Sequence, residues 1–202
     1  METIKIKVIT IGPSNSGKTS FIRRYTGGKY NENATNTIGI DFFSKLIKKN
    51  NKNIKLFFWD TAGHERYYSL VESYFRDINI ILYFFDLNNI ESFNECIIWI
   101  NKTKIYHTSY SKKYLIGTKN DLNKNIQQNR IDELCKMYDI NYYESSAKNN
   151  HNVNEILNII VEDNYMINNN IDTSIQLDTS IQLDTPSYNK EKHIECINCI
   201  IT

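Results

Sequence analysis

Apolar segments alternate with helix-length amphipathic segments along most of the chain. The apolar segments predict six strands, at residues 4–11, 41–47, 54–60, 79–86, 114–117 and 141–144. The intervening segments predict helices at residues 18–25, 92–106, 130–138 and 153–165. Such alternation is typical of an α/β fold, in which helices cover both faces of a mostly parallel sheet.

Two of the predicted strands, FFWD (57–60) and IILYFFD (80–86), are uninterrupted apolar runs that end in an acid. This pattern predicts that both strands are buried on both faces of the sheet and that their carboxyl ends border a site. The polar segment KKNNKN (48–53) predicts an antiparallel hairpin between the second and third strands. We therefore predict three layers, in which helices flank a six-stranded, mostly parallel sheet with one antiparallel strand.

Length and composition limit the classes of protein to which the chain can belong. Its 202 residues are enough for one domain with its own core, and 41% of them are apolar. A net charge of +1 argues against an electrostatic nucleic-acid partner. The four cysteines are too few for a disulfide scaffold and favour a reducing, cytosolic setting. No apolar run is long enough for a transmembrane helix, so membrane contact would need a modification.

The apolar periodicity fades near residue 168, which predicts a folded domain at residues 1–167 and a flexible tail at residues 168–202. The tail carries a tandem hexapeptide, TSIQLD, at residues 173–178 and 179–184. Two short copies cannot form a solenoid. We interpret the repeat as a replicated segment of the tail, with a partner-binding strand as the alternative.

The first predicted strand runs into the sequence GPSNSGKT (12–19), a complete GxxxxGK[ST] phosphate-binding loop followed by a predicted helix. Gly12 and Gly17 allow backbone N–H groups to surround phosphate oxygens, and Lys18 would reach the β- and γ-phosphates. The Thr19 hydroxyl could ligate Mg²⁺. This loop predicts nucleotide binding without distinguishing kinases, ATPases and GTPases.

Four further segments follow in an order that resembles the small GTPases of the Ras superfamily. They are Thr37 within TNTIGIDF (35–42), DTAG (60–63), TKND (118–121) and SSAK (145–148). The resemblance covers about residues 1–167 and implies the GTPase G-domain version of the P-loop fold. It also implies GTP and GDP as ligands, with Mg²⁺ as the cofactor.

The resemblance assigns roles to individual residues. It implies that Thr19, Thr37 and Asp60 hold Mg²⁺ and that the Gly63 N–H contacts the γ-phosphate. Asp121 would accept hydrogen bonds from guanine N1–H and the 2-amino group, a donor pair that adenine does not present. The other implied nucleotide contacts are Asn15, Ser16, Gly17, Lys18, Ser20, Tyr30, Thr118, Lys119, Ser146, Ala147 and Lys148.

Within the superfamily, the chain resembles the Rab group most. The segments that carry this likeness are IGIDF (38–42), KLFFW (55–59), RYYSL (66–70), SYFRD (73–77) and LYFFDL (82–87). A Rab-like protein would switch between GTP and GDP forms and regulate vesicle trafficking by recruiting effectors when GTP is bound. The expected partners are an exchange factor, a GTPase-activating protein, a dissociation inhibitor or escort protein and a prenyltransferase, around a monomeric G domain.

One residue departs from the family pattern at the catalytic position. After DTAG the family usually has a glutamine that orients the attacking water, whereas this chain has His64. An imidazole lacks the carbonyl and amide that contact water and phosphate together. With Lys18 and His64 as the catalytic residues, we expect slow intrinsic hydrolysis. The alternatives are a GTP-binding scaffold with very weak hydrolysis and a P-loop phosphotransferase, for which no acceptor-binding lid is evident.

The last residues predict a lipid anchor. Cys199, two isoleucines and Thr202 fit the C-a-a-X prenylation pattern, and Cys196 could carry a second lipid. Because one lipid gives only marginal binding, two would hold the protein on a membrane more firmly. We therefore expect a protein that is lipid-anchored to the cytoplasmic face of an endomembrane and exchanges with the cytosol. Two unmodified cysteines are the alternative.

Overall fold

A six-stranded sheet forms the centre of the structure. The computed structural model describes residues 3–49, 51–108 and 110–164. The strands are β1 (Thr3–Ile11), β2 (Ile40–Lys49), β3 (Lys52–Thr61), β4 (Ile80–Asp86), β5 (Lys112–Thr118) and β6 (Asn141–Glu144). They lie in the order β2-β3-β1-β4-β5-β6. All neighbours are parallel except β2 and β3, which form an antiparallel pair.

Helices cover both faces of this sheet. They are α1 (Lys18–Tyr25), α2 (Tyr68–Glu72), α3 (Ile90–Thr103), α4 (Gln128–Tyr138) and the helical residues 153–164, here α5. Short 3₁₀ turns, Glu65–Tyr67 and Lys104–Tyr106, precede α2 and follow α3. One core cluster joins the sheet to α2, α3 and α4. On the opposite face, Phe21 of α1 packs edge-on against Phe84, and the Tyr114 hydroxyl donates to Asp163 of α5.

The predicted fold class is confirmed, including the single antiparallel strand. The hairpin is tighter than the polar segment suggested, because Lys49 pairs with Lys52 and only two residues connect the strands. Asn51 in this turn has a φ of 58°, which asparagine tolerates better than most residues. The last predicted helix and the predicted domain boundary run past residue 164, outside the described residues.

The prediction that both apolar strands are buried on both faces is right for β4 and wrong for β3. Every residue of β4 is buried, whereas burial alternates along β3. Phe57 and Trp59 are half-buried and pack against Phe42 of β2, with ring centroids 5.8 and 5.4 Å away. The difference follows from the place of β3 in the sheet. This strand lies next to the edge strand β2, where the face that carries Phe57 and Trp59 is only partly covered.

Helix α2 was not predicted from the sequence. This helix has five residues and no side chain that caps its N-terminus, so its local signal is weak. Contacts with α3 hold it instead. The Tyr68 ring packs 5.7 Å from the Trp99 ring, and the Tyr68 hydroxyl donates to the Lys102 carbonyl at 2.7 Å. Tertiary packing therefore determines this helix more than its own sequence does.

Several predictions concern residues beyond the described ranges. The TSIQLD repeat, Cys196 and Cys199 all lie there. Within the described part of the chain, no helix is long and apolar enough to cross a membrane. Of the two helix cysteines there, Cys96 is buried and Cys135 is half-buried, and neither forms a disulfide.

Candidate functional site

A cavity of about 340 Å³ opens where β1 and β5 end and α1 begins. Its volume lies in the range of small-molecule sites. Most of the residues predicted to bind a nucleotide line this cavity: Asn15, Gly17, Lys18, Thr19, Ser20, Tyr30, Thr37, Gly63, Thr118, Lys119, Asp121, Ala147 and Lys148. Ser16, Asp60, His64 and Ser146 do not line it. Residues that are distant in sequence thus meet at the carboxyl edge of the sheet.

The loop between β1 and α1 passes close to its neighbours at Gly12. Its φ is 145°, and a Cβ there would lie 2.3 Å from the Phe84 carbonyl oxygen of β4. Only glycine fits such a position. The buried Ser16 donates its hydroxyl to the Pro13 carbonyl at 2.8 Å, which closes the loop on itself. The position of the loop is therefore fixed by its contact with β4 and by its internal hydrogen bond.

Lys18 places its ammonium inside this loop. Its Nζ donates to the carbonyls of Gly12 and Pro13 at 2.9 and 2.8 Å, and the side chain is buried. Burial lowers the pKa of Lys18 from 10.5 to about 8, although the nearby Asp60 carboxylate opposes this effect. A buried ammonium with so little compensating charge favours an anionic ligand.

Three oxygens cluster beside Lys18. The Thr19 hydroxyl donates to the Asp60 carboxylate at 2.5 Å and lies 2.7 Å from the Thr37 hydroxyl. Asp60 is fully buried at the end of β3, and burial raises its pKa while hydrogen bonds from Thr19 and Thr10 oppose that shift. Hard oxygen ligands of this kind suit Mg²⁺, so the three side chains fit the cofactor that the sequence implied.

Gly63 and His64 follow at the start of the segment between β3 and α2. A Cβ on Gly63 would lie 2.2 Å from Pro13 C and Ser14 N, so this segment touches the phosphate-binding loop directly. His64 comes next in the chain, and its side chain is exposed outside the cavity lining. Its carbonyl accepts a hydrogen bond from Tyr67 N at 3.0 Å, within the 3₁₀ turn.

Thr118, at the end of β5, connects the phosphate-binding loop to the sheet. Its buried hydroxyl lies 2.7 Å from the Ser16 carbonyl and 3.0 Å from the Phe85 carbonyl, to which it donates. The phosphate-binding loop is thus linked to both β4 and β5. A threonine can make this link at the position where the family more often has asparagine.

The next residues form a turn that also lines the cavity. Lys119 has a φ of 57° and its Nζ lies 2.8 Å from the Asp86 carboxylate. The Leu122 N–H donates to the Lys119 carbonyl at 3.0 Å, and Asp121 is exposed toward solvent between them. Tyr30 lines the same cavity and is 36% exposed.

The SSAK loop follows β6 and is held at its start. Ser145 N–H donates to the Gly117 carbonyl at 2.8 Å, and Ser146 exchanges two backbone hydrogen bonds with His151. Ser146 is buried, while Ala147 and Lys148 line the cavity. The exposed Lys148 ammonium pairs with Glu32 at 2.7 Å, and this contact lowers the pKa of Glu32 and raises that of Lys148.

Some residues of the site were not predicted as nucleotide contacts from the sequence. Glu32 and Ser145 line the cavity, and Arg24 contacts the SSAK loop from α1. Within the described residues, the buried Ser145 hydroxyl has no hydrogen-bond partner. The place of Ser145, directly after a predicted strand that ends at the site, is a signal that could have identified it. Arg24 and Glu32 carry no such signal.

Comparisons with known proteins agree on one family. A sequence model of the Ras family matches residues 7–166. The Ras-related protein RabL of Dictyostelium discoideum is 37% identical over 168 residues, which cover 78% of this chain and 82% of that protein. The human Ras-related protein Rab-30 is 35% identical over 152 residues, covering 74% and 75% of the two chains.

A third relative, the human Ras-related protein Rab-3A, is 35% identical over 158 residues, which cover 77% of this chain and 72% of Rab-3A. Ras-family proteins are GTPases that bind guanine nucleotides and Mg²⁺, and their G domain has the P-loop fold observed here. The matched region includes the whole cavity. The chain therefore belongs to the Ras family and is a Rab-like small GTPase.

Proposed function

We propose that this protein binds GTP and GDP in the cavity, hydrolyses GTP, and acts as a switch in vesicle trafficking. The observation that carries the proposal is that one cavity is lined by two different chemistries. Lys18 comes from the phosphate-binding loop after β1, and Asp121 comes from the turn after β5, two strands away in the sheet. A cation from one strand end and a carboxylate from another match a phosphorylated guanine nucleoside.

At the phosphate end, the Lys18 ammonium and the N–H groups of the loop bind phosphate oxygens. The first turn of α1 adds the partial positive charge of a helix N-terminus. Thr19, Thr37 and Asp60 would hold Mg²⁺, and this ion would supply positive charge beside the phosphate oxygens. Gly63, already against the loop, has no side chain to separate its N–H from the terminal phosphate.

A competition experiment tests the choice of base. Nucleotide-free full-length protein with Mg²⁺ is loaded with GDP that carries a fluorophore on its ribose, and unlabelled GTP or ATP is used to displace it. We expect GTP to displace the label at concentrations at least ~1,000-fold lower than ATP, because a site built for specific hydrogen bonds rejects a base that lacks the donors. Equal displacement by ATP would refute the guanine assignment and favour a phosphotransferase.

The switch would act through the two segments that touch the nucleotide. With GTP bound, the terminal phosphate and Mg²⁺ would hold Thr37 and Gly63, and hydrolysis would release both. An exposed apolar surface lies beside them and supports effector recruitment: Ile38 is 81% exposed and Phe42 is 57% exposed. Exchange and activating factors, and a dissociation inhibitor or escort protein, would control the cycle of a monomeric G domain at residues 1–167.

His64 is expected to make intrinsic hydrolysis slow. In single-turnover hydrolysis, we expect His64→Gln to be roughly tenfold faster than the natural protein, since glutamine orients the attacking water better than imidazole does. The dissociation rate of GDP should be the same for both proteins and serves as the control. Equal hydrolysis rates would contradict this role of His64. A natural protein that stays inactive even with an activating protein would be a GTP-binding scaffold.

We also expect a lipid on Cys199, and the sequence Cys199–Thr202 supports this expectation. Intact-mass measurement of the protein from its native cells should show the added mass of a prenyl group. A tagged Cys199→Ser variant should be diffuse, whereas Asn198→Ala, which leaves the motif intact, should remain on an endomembrane. An unmodified Cys199, or a diffuse natural protein, would refute the lipid anchor. Cys196 as a second lipid site can be read from the same spectrum.

A further inference from the structure

Arg24 reaches from α1 to the SSAK loop, which lines the cavity. Its Nε donates to the Ala147 carbonyl at 2.9 Å, and its Nη2 donates to the Lys148 carbonyl at 3.0 Å. The guanidinium therefore binds two consecutive carbonyls of the SSAK loop with its planar fork, a geometry that a flexible ammonium cannot reproduce. The side chain is half-buried, so the contact is partly shielded from water.

These two hydrogen bonds fix the orientation of the peptide units behind them. A trans peptide points its carbonyl and its N–H in opposite directions, and no cis peptide occurs in the described residues. With the Ala147 carbonyl held by Arg24, the Lys148 N–H is directed away from α1. The second held carbonyl, that of Lys148, fixes the next N–H in the same way, and the Asn149 N–H donates to the Ser146 hydroxyl at 3.1 Å.

In the part of the chain that the structure describes, the other hydrogen bonds of this loop hold its start and the Asn149 N–H. Ser145 and Ser146, the first two residues of the loop, are held by backbone hydrogen bonds to Gly117 and His151. The Lys148 side chain pairs with Glu32, but both groups are more than half exposed, and such pairs contribute little. Among the described residues, Arg24 is thus the side chain that holds the Ala147 and Lys148 carbonyls.

The same helix also forms the phosphate end of the site. Lys18 and Thr19 occupy the first turn of α1, and Arg24 lies near its last turn. We infer that Arg24 is a positioning residue for guanine recognition, which fixes the backbone of Ala147 and Lys148 and thereby the direction of the Lys148 N–H in the SSAK loop. This role rests on the proposed guanine-nucleotide binding. The base atom concerned is guanine O6, the acceptor that this loop would contact.

The test measures dissociation of two nucleotides from the full-length protein with Mg²⁺. One is GDP, and the other is 2-aminopurine riboside diphosphate, which keeps the 2-amino group but lacks the O6 acceptor and the N1–H donor. The lost N1–H would face Asp121 in the natural protein and in every variant, so the comparison is between the changes that each substitution causes. We expect Arg24→Ala to release GDP roughly tenfold faster, the order of effect of losing hydrogen bonds to a charged group. The same substitution should change release of the 2-aminopurine nucleotide less than about twofold. A merely structural arginine would affect both nucleotides equally.

The neighbouring Arg23 supplies a matched control. It is exposed on the same helix and its guanidinium lies 4.0 Å from the Asp41 carboxylate. Arg23→Ala should leave both dissociation rates within about twofold of the natural protein. Arg24→Lys keeps the charge and the apolar stem but not the fork, so we expect it to release GDP at a rate between those of the natural protein and Arg24→Ala.

Two results would overturn the role of Arg24 while leaving the proposed function intact. In the first, the natural protein binds GDP, and the Arg24→Ala variant releases GDP at the same rate as the natural protein. The other is an equal acceleration for GDP and the 2-aminopurine nucleotide. A natural protein that binds neither GTP nor GDP would instead overturn the proposed function, and the inference about Arg24 with it.

Discussion

Replacing Lys18 with alanine should lower the affinity for GTP and GDP by about a thousandfold. The ammonium is already buried in the phosphate-binding loop, where it donates to the Gly12 and Pro13 carbonyls. Burial lowers the pKa of Lys18 to about 8, which indicates that the charged form is only partly compensated until an anion binds. Two charge-assisted hydrogen bonds to phosphate would contribute about 4 kcal/mol, which corresponds to the expected loss.

Calorimetric titration of nucleotide-free protein with GDP measures this loss. Lys136→Ala is the matched control, since this lysine is exposed on α4, outside the cavity lining. The control should bind GDP as the natural protein does, and circular dichroism should show that both variants are folded. A loss smaller than about tenfold for Lys18→Ala would show that the ammonium is not the main phosphate contact.

The parts of the fold that could be predicted from the sequence are those with strong local signals. The helix after the phosphate-binding loop was predicted at its observed bounds, Lys18–Tyr25, because a glycine precedes it and an apolar stripe runs along it. β4 was predicted within one residue because its apolar run is uninterrupted. Most of the predicted site residues surround one cavity because parallel strands end at the same edge of a sheet.

The parts that could not be predicted depend on contacts between distant segments. α2 is held by the rings and carbonyls of α3, and the partial exposure of Phe57 follows from the place of β3 in the strand order. Arg24 lies in an amphipathic helix, where its sequence pattern indicates only an exposed cation. Its contact with Ala147 spans 123 positions of the chain and appears only when α1 and β6 are packed together.

The second large effect concerns Asp121, the residue proposed to bind guanine. Replacing Asp121 with asparagine should weaken GTP binding by about a thousandfold, since an amide cannot accept hydrogen bonds from both guanine donors. Its amide group would instead face the 2-amino group, donor against donor. Xanthine has a carbonyl oxygen in place of that amino group, so the variant should bind a xanthine nucleotide more tightly than the natural protein does. Displacement of a ribose-labelled nucleotide measures both affinities.

Asp139→Asn makes the same chemical change at a distance from the cavity. Asp139 is exposed at the end of α4 with a φ of 52°, a conformation that asparagine adopts readily, so this control should be stable and should keep the natural preference for GTP. If Asp121→Asn weakens GTP and xanthine nucleotides alike, the residue supports the β5 turn rather than the base. If it weakens neither, Asp121 does not contact the base. Direct recognition requires that Asp121→Asn bind the guanine nucleotide more weakly and the xanthine nucleotide more tightly than the natural protein does.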